Sequence, residues 1–427
     1  MKDLNKYTEE RMGKGKKIVI LGTLDTKGDQ LVYLREKIRE LGHFSILIDL
    51  STGSEPSQEA DVTSAEIASI VGEDIKKLRE SKDRALCAEV MAKGAEQKVL
   101  ELLARGDLDG IAALGGATIA GIASKVMQKL PFGIPKIMGV TAIMPVYVRE
   151  WFNAMDIVVM QMIMEMAGMN DLVKNVIERF AGTIVGTTEQ ATAFTTLKLP
   201  YPSIAITEYG PSQKCAEQVR KLLEERGYHV FSFHAQGISD RAMEKLISQG
   251  LFDGLIDIVP SGLSDELTQG NRAAGKKRLD AAAERGIPQV LAPAGINMTG
   301  CGPTRRNREK YASRPRILKM DEIRWMTRYT PEELKEHAKV YAEKLNKAKG
   351  PTVFLFPLRG WCSLDREGSV LFDPVEDKVF IEEFRKHLNN PKVEIKEIDC
   401  NLEDHEFAEA LVNNFEEIFQ KTKERRD

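Results

Sequence analysis

The chain has 427 residues, with 61 Lys and Arg against 64 Asp and Glu, 42% hydrophobic and 29% charged residues, and a net charge of −3. That length suits two or three domains with substantial cores, and the balanced charge excludes a general attraction to nucleic acid or anionic membranes. Five scattered cysteines (Cys87, Cys215, Cys301, Cys362, Cys400) form no CxxC pair, which points to a reducing compartment and away from a structural zinc site.

The opening MKDLNKYTEERMGKGKK is charged and lacks the apolar core of a signal peptide. The longest apolar stretch, Ala154 to Met169, carries Asp156, Gln161 and Glu165 and is too short and polar to span a bilayer. These features predict a cytoplasmic protein with no membrane or nucleic-acid partner.

The apolar run Lys17 to Leu21 reads as a buried strand. It stops at Gly22, and GTLDTKGDQ leads into helical spacing at Leu31, Leu34, Ile38 and Leu41. A second strand ends at Asp49, followed by Ser51-Thr52-Gly53. Residues 55–84 form a charge-rich helical insertion. The segment from Ser203 repeats the opening rhythm, with Gly227 matching Gly42. RGDLDGIAAL (Arg105 to Leu114) matches QGLFDGLIDI (Gln249 to Ile258), and FGIPKIMGV matches RGIPQVLAP. Alternating short apolar runs and amphipathic helices mark parallel α/β units. The expected architecture is therefore two Rossmann-like doubly wound α/β domains, at 16–190 and 200–427, joined by a linker between about Ala181 and Pro202. In the second, Thr330 with Glu333 predicts a capped helix to Lys347, and strands are expected at Thr352 to Leu358 and in VEIKEID, before a last helix from Asp404.

Ligands of open parallel sheets sit at the carboxyl ends of the strands. In the first domain those corners are Gly22–Gly28, Asp49–Gly53, Gly115–Gly121 and Gly139–Pro145. Thr26 is expected to cap the first helix, with Gly22 and Gly28 allowing close approach of an anion and Lys27 adding a positive charge. Asp49 is placed to meet a ribose hydroxyl. Gly115-Gly116 with Thr118 resembles a phosphate cradle without the lysine of a P-loop. Ile119 is expected to narrow that corner and favour a ligand smaller or differently placed than a full triphosphate.

The second domain offers His234 past a strand end, Gly237, Ser261-Gly262 with Asp265, and Gly295 with Asn297. No Ser/His/Asp spacing is diagnostic, and no cluster has recognisable metal spacing. The run from Gly302 to Arg316, with six Arg and Lys against one Glu, suits a loop that closes on phosphate or carboxylate. Six methionines between Met155 and Met169 suit core or a helical subunit contact.

Several motifs resemble the ATP-binding-domain family named for the tomato mosaic virus resistance protein: GTLDTKGDQLVYLREKI, the Gly-Gly corner, MDIVVM…AGMN, His234 to Glu244, RYTPEE from Arg328, and Phe372-Asp373-Pro374. The resemblance covers nearly the whole chain. It implies two Rossmann-like domains, a homodimer, and ATP, with Mg²⁺ as a possible companion, held at Gly22, Thr23, Asp25, Thr26, Lys27, Ser51, Thr52, Gly115 and Gly116; the corner reading adds Asp49, Gly53 and Thr118 to that set. A small anionic metabolite is expected at Gly237, Ser261, Gly262, Asp265, Gly295, Asn297 and Arg328. The chain departs from the family's GGSGGT at Ala117-Thr118-Ile119-Ala120, and its Gly360-Trp361-Cys362-Ser363-Leu364-Asp365 stands for Gly-x-Ser-x-x-Asp. The leading expectation is a nucleotide-binding protein acting on that metabolite in a cleft between the domains. The alternatives are a non-catalytic module working through its surface, and a nucleotide-independent enzyme with His234 as acid–base.

Overall fold

The computed structural model describes residues 15–56, 58–143, 151–191, 199–302 and 304–424. Pro145 and most of the segment between Ala191 and Leu199 lie outside them. The chain divides into two compact units, Met1–Leu197 and Lys198–Asp427.

The first unit is a five-stranded parallel sheet: β1 (Lys17–Gly22), β2 (Phe44–Asp49), β3 (Gly110–Gly115), β4 (Lys136–Val140) and β5 (Ile157–Gln161), in the order β2-β1-β3-β4-β5. Side chains alternate between two cores, as a strand period of two requires. Ile18, Ile20, Ala112 and Leu114 pack with helices α1 (Leu24–Glu40) and, near the unit's end, Asp171–Gln190. Val19, Leu21, Ile111 and Ala113 pack on the opposite side. The helices there are α2 (Ser64–Ile70), α3 (Ile75–Glu80), α4 (Arg84–Ala104) and α5 (Ala117–Met127). The helical insertion is therefore real, and it covers one face beyond the end of β2.

Two expectations change. The methionine-rich segment is an edge strand and loop rather than a helix; Met162 fills the space beside Phe180 and Gly139, and Met166 is buried in the same core. The segment from Asp171 runs as a helix to Gln190, so the linker begins later than Ala181.

The second unit repeats the plan with one more strand. Its sheet runs β14 (Val393–Ile398), β13 (Thr352–Pro357), β9 (Gln289–Leu291), β8 (Gly254–Asp257), β6 (Ser203–Glu208), β7 (His229–His234), all parallel. Both units thus share the order 2-1-3-4-5, confirming two Rossmann-like α/β regions. A small antiparallel sheet joins β10 (Met298–Gly300), β12 (Trp325–Arg328) and β11 (Ile317–Lys319). The helix Pro331–Leu345 carries the full capping box of Thr330 and Glu333. The basic run after Gly302 is no free clamp: Arg305–Tyr311 is helical, Arg314 pairs with Glu333, and Arg316 pairs with Asp373 and Glu376.

Thr26 does not cap α1. The N-cap is Thr23, without a side-chain cap bond, and Lys27 leaves helical geometry at φ −132°, ψ 23°. The Thr26 hydroxyl instead meets Thr23 Oγ1 at 2.9 Å. Thr330→Ala should therefore cost about 0.5–2 kcal/mol, whereas Thr26→Ala should cost under about 0.5 kcal/mol. Urea unfolding of both variants checks this contrast.

Candidate functional site

In a sheet ordered 2-1-3-4-5, the crevice lies between strands 1 and 3, where successive crossovers go to opposite faces. In the first unit this places the ends of β1 and β3 side by side, with β2 next to β1. Gly22–Lys27, Asp49–Gly53 and Gly115–Thr118 therefore gather along one sheet edge, as the sequence predicts.

Their roles differ. Asp49 is buried and its Oδ1 accepts from Leu24 N at 3.0 Å and Ser51 N at 3.0 Å, with Ser51 Oγ also donating to it. Ser51 Oγ accepts from Asp25 N at 3.0 Å, and Asp25 Oδ2 receives Gly53 N and Ser54 N at 3.0 and 3.2 Å. The first amide groups of α1 are thus satisfied by the β2 loop, so this helix end does not offer them to an anion. Asp49 Oδ2 has no hydrogen-bond partner. Lys27 is not free either: its Nζ donates to Glu165 at 2.5 Å and to Met166 O at 2.7 Å. That lysine, with the Thr141 hydroxyl adding to it, holds the Glu165 carboxyl below its ordinary value.

The third corner is open. Gly116 is the N-cap of the eleven-residue α5, no side chain caps it, and its first turn holds no acid. Ala117 and Thr118 are exposed. Ile119 does not obstruct the mouth: it is 2% exposed and packs inward against Gly115, where any Cβ would collide with it. The expected narrowing is therefore absent, because one residue of helical rotation turns Ile119 toward the core and Thr118 toward solvent.

In the second unit the corresponding crevice is filled. Ser261 and Tyr209 are buried, and their hydroxyls, with no hydrogen-bond partner among the described residues, bracket Gly295. Gly295 has φ +72°, and a Cβ there would stand 2.9 Å from Ser261 Oγ and 3.1 Å from the Tyr209 hydroxyl. Asp265 is fully engaged: Arg272 N and Nε at 2.8 and 3.2 Å, Thr299 Oγ1 at 2.8 Å and the Tyr329 hydroxyl at 2.7 Å. Gly237 and Gly262 both pack closely on the 272–274 segment. The Cys362 thiol beside Tyr209 is pushed up to about 12 by burial and by Asp365, so it is not a thiolate nucleophile at neutral pH.

Asn297 and Arg328 belong to a separate lock. Asn297 Nδ2 donates to Asp365 and Asp377 at 2.7 and 2.8 Å, while Arg328 reaches Asp377 at 2.5 Å, Asp365 at 3.4 Å and Glu376 at 2.8 Å. His234 stands exposed at the end of the edge strand β7, opposite Glu208. The buried cations Arg272 and Arg278 were not foreseen. Arg278 holds Asp257 at 2.7 Å and Glu244 at 3.0 Å; the sequence signal was the acid at the end of GLID and the Asp240-to-Glu244 stretch, but their shared partner lies far along the chain.

Among the described residues, no group of three or more His, Cys, Asp or Glu is arranged to hold a metal ion, and no helix is long and apolar enough to cross a membrane.

The description Uncharacterised protein family (UPF0261) N-terminal domain fits residues 16–193, and the C-terminal domain of the same family fits residues 201–419. A UPF0261 protein of Clostridium tetani is 34% identical over 406 residues, covering 95% of this chain and 100% of that protein. The chain belongs to this family. The ToMV resistance protein Tm-1(GCR237) of Solanum lycopersicum is 29% identical over 428 residues, covering 95% of this chain and 56% of the tomato protein. A UPF0261 protein of Rhizobium meliloti is 29% identical over 404 residues, covering 94% and 99%. The resemblance stated from motifs alone thus holds over both domains.

The Arg328 lock should make stability pH-dependent. Burial and the neighbouring Asp365 raise the Asp377 carboxyl from 3.8 to about 8; Arg328 opposes this less effectively because its charge is shared with Asp365 and Glu376. A raised acid binds its proton more tightly when folded, so its stabilisation is lost as pH climbs toward 8. His337, depressed from 6.5 to about 4 by burial, works oppositely below pH 6.5. Between roughly pH 6.5 and 8 the Asp377 effect should therefore dominate, with a slope of up to about 1.4 kcal/mol per pH unit. Chemical unfolding across that window should show falling stability in the parent and a flatter profile in Asp377→Asn.

Proposed function

We propose that the first unit binds ATP or a related nucleotide, with its phosphates at the crevice between β1 and β3. The observation that carries this reading is the uncapped, exposed N-terminus of α5 at that crevice. Unpaired amide groups at a helix start, with the helix dipole behind them, form an anion site. Gly116 keeps the approach free of a side chain, and the hydroxyls of Thr23, Thr26 and Thr118 stand at the two corners with some or full exposure. The ATP-binding family resemblance supports the choice of a nucleotide over other anions.

The departure from GGSGGT does not count against this reading, since Ile119 turns into the core. Ile119 therefore does not stand in the way of a triphosphate at this corner. Lys27 is a reserve charge held by Glu165, so the first contacts come from backbone amides.

Calorimetry with ATP, ADP and AMP, with and without Mg²⁺, tests the proposal; no saturable binding by any of them would end it. Thr118→Asp gives a sharper check. An acid in the first turn should raise helix stability by about 0.3–1 kcal/mol, while its charge at the phosphate position should weaken ATP about tenfold or more. A higher Tm with unchanged ATP affinity would put the phosphates elsewhere.

A further inference from the structure

We infer that the groove beyond the end of β2 is a nucleoside subsite, taking the ribose and base of the nucleotide whose phosphates lie at α5; this rests on the reading just proposed. The groove has a volume of about 470 Å³, and Asp49, Glu55, Thr63, Ser64, Ala65 and Arg79 are among its lining residues. That volume lies within the roughly 300–1,000 Å³ of small-molecule sites. Its floor comes from the strand adjoining the crevice and its walls from the helical insertion, α2 and α3.

Two buried polar atoms in this lining lack partners, one an acceptor and one a donor. Asp49 is 1% exposed, with Oδ1 turned to Leu24 and Ser51, and Oδ2 has no bond. The Arg79 side chain is 14% exposed; Nη1 meets Glu55, Nη2 reaches Ser64 Oγ at 3.4 Å, and Nε has no bond. A buried polar group without a partner is costly, so a ligand carrying both a donor and an acceptor is the complement of this pair. A ribose hydroxyl donates to Asp49 Oδ2, as acids at this strand end do in dinucleotide folds, and a ring nitrogen or sugar oxygen accepts from Arg79 Nε.

Charge assigns which end of the nucleotide enters. Asp49, Glu55 and Glu59 face one arginine in the lining, and that arginine is already paired with Glu55. Such a surface repels phosphate and accepts an uncharged, donor-rich group. The phosphate end is left to the α5 amides, and the acidic insertion selects for nucleoside.

The test uses calorimetry on the full chain with two probes, ATP and inorganic tripolyphosphate. Ala65 is exposed on α2, so Ala65→Trp fills the groove from a position the core does not use; Arg79→Ala removes the donor. Both variants should keep the parent Tm within a few degrees, lose about tenfold or more in ATP affinity, and keep tripolyphosphate affinity within about twofold. ATP affinity unchanged in both would overturn the subsite while leaving the phosphate site standing. Equal losses for both probes would make the groove part of the phosphate site, again overturning the inference. If the parent bound neither probe, the phosphate reading would fall first and the subsite with it.

Discussion

One reciprocal bond sets the geometry of both units. Asp109 accepts Lys17 N at 2.8 Å and returns its own N–H to Lys17 O at 2.7 Å. Asp253 does the same with Ser203, at 2.9 and 2.8 Å. Each clamp joins the amino ends of strands 1 and 3, which are hydrogen-bonded neighbours. A one-residue slip in that pairing would turn every side chain of a strand to the wrong face, so the clamp fixes which residues enter which core. With register set, the helix after β1 packs on one face and the helix after β3 on the other. The crevice between them is a consequence of that divergence and needs no further device to create it.

From the same crevice the two units have gone different ways. In the first, helix α5 starts without a cap and Thr118 faces solvent. In the second, Tyr209, Ser261, Asp265 and Arg272 fill the space, and Arg272 lies over the Tyr209 ring at 5.5 Å. Buried charges survive only when paired and hydrogen-bonded, and the four contacts on Asp265 meet that condition. The second crevice is filled and hydrogen-bonded, and the first is open at the start of α5.

The fold was largely legible because its determinants are local. Apolar runs ending at glycine, the DLDG and FDG matches and the Gly42–Gly227 pair all survive in the structure; both glycines sit at positive φ after a helix. The candidate corners were legible too, since topology alone sends strand ends to one edge. What each corner residue does was not. Thr26 reads as a cap, but Asp49 and Ser51 reach across from β2 to satisfy α1. Ile119 reads as an obstruction, but a single helical step hides it. Lys27 reads as a free charge, but its partner is Glu165, more than a hundred residues away. Arg79 gave no signal and Arg278 showed only through its acidic partners, because burial of an arginine is decided by partners that only the tertiary fold assembles.

The pairing of Lys27 with Glu165 also bears on how the first crevice would discriminate between ligands on the proposed reading. A free lysine at its mouth would draw in every anion within a Debye length, about 8 Å in physiological salt. The pair cancels that field, and the carboxylates beyond β2 add a negative one. On the proposed nucleotide reading, attraction begins only where a ligand touches the α5 amides, which act through directional hydrogen bonds over a short range. Bulk anions such as chloride gain little from such contacts, while a phosphate with several acceptor oxygens gains from each. On the nucleotide reading proposed above, selectivity at this corner comes from close geometry and not from long-range charge.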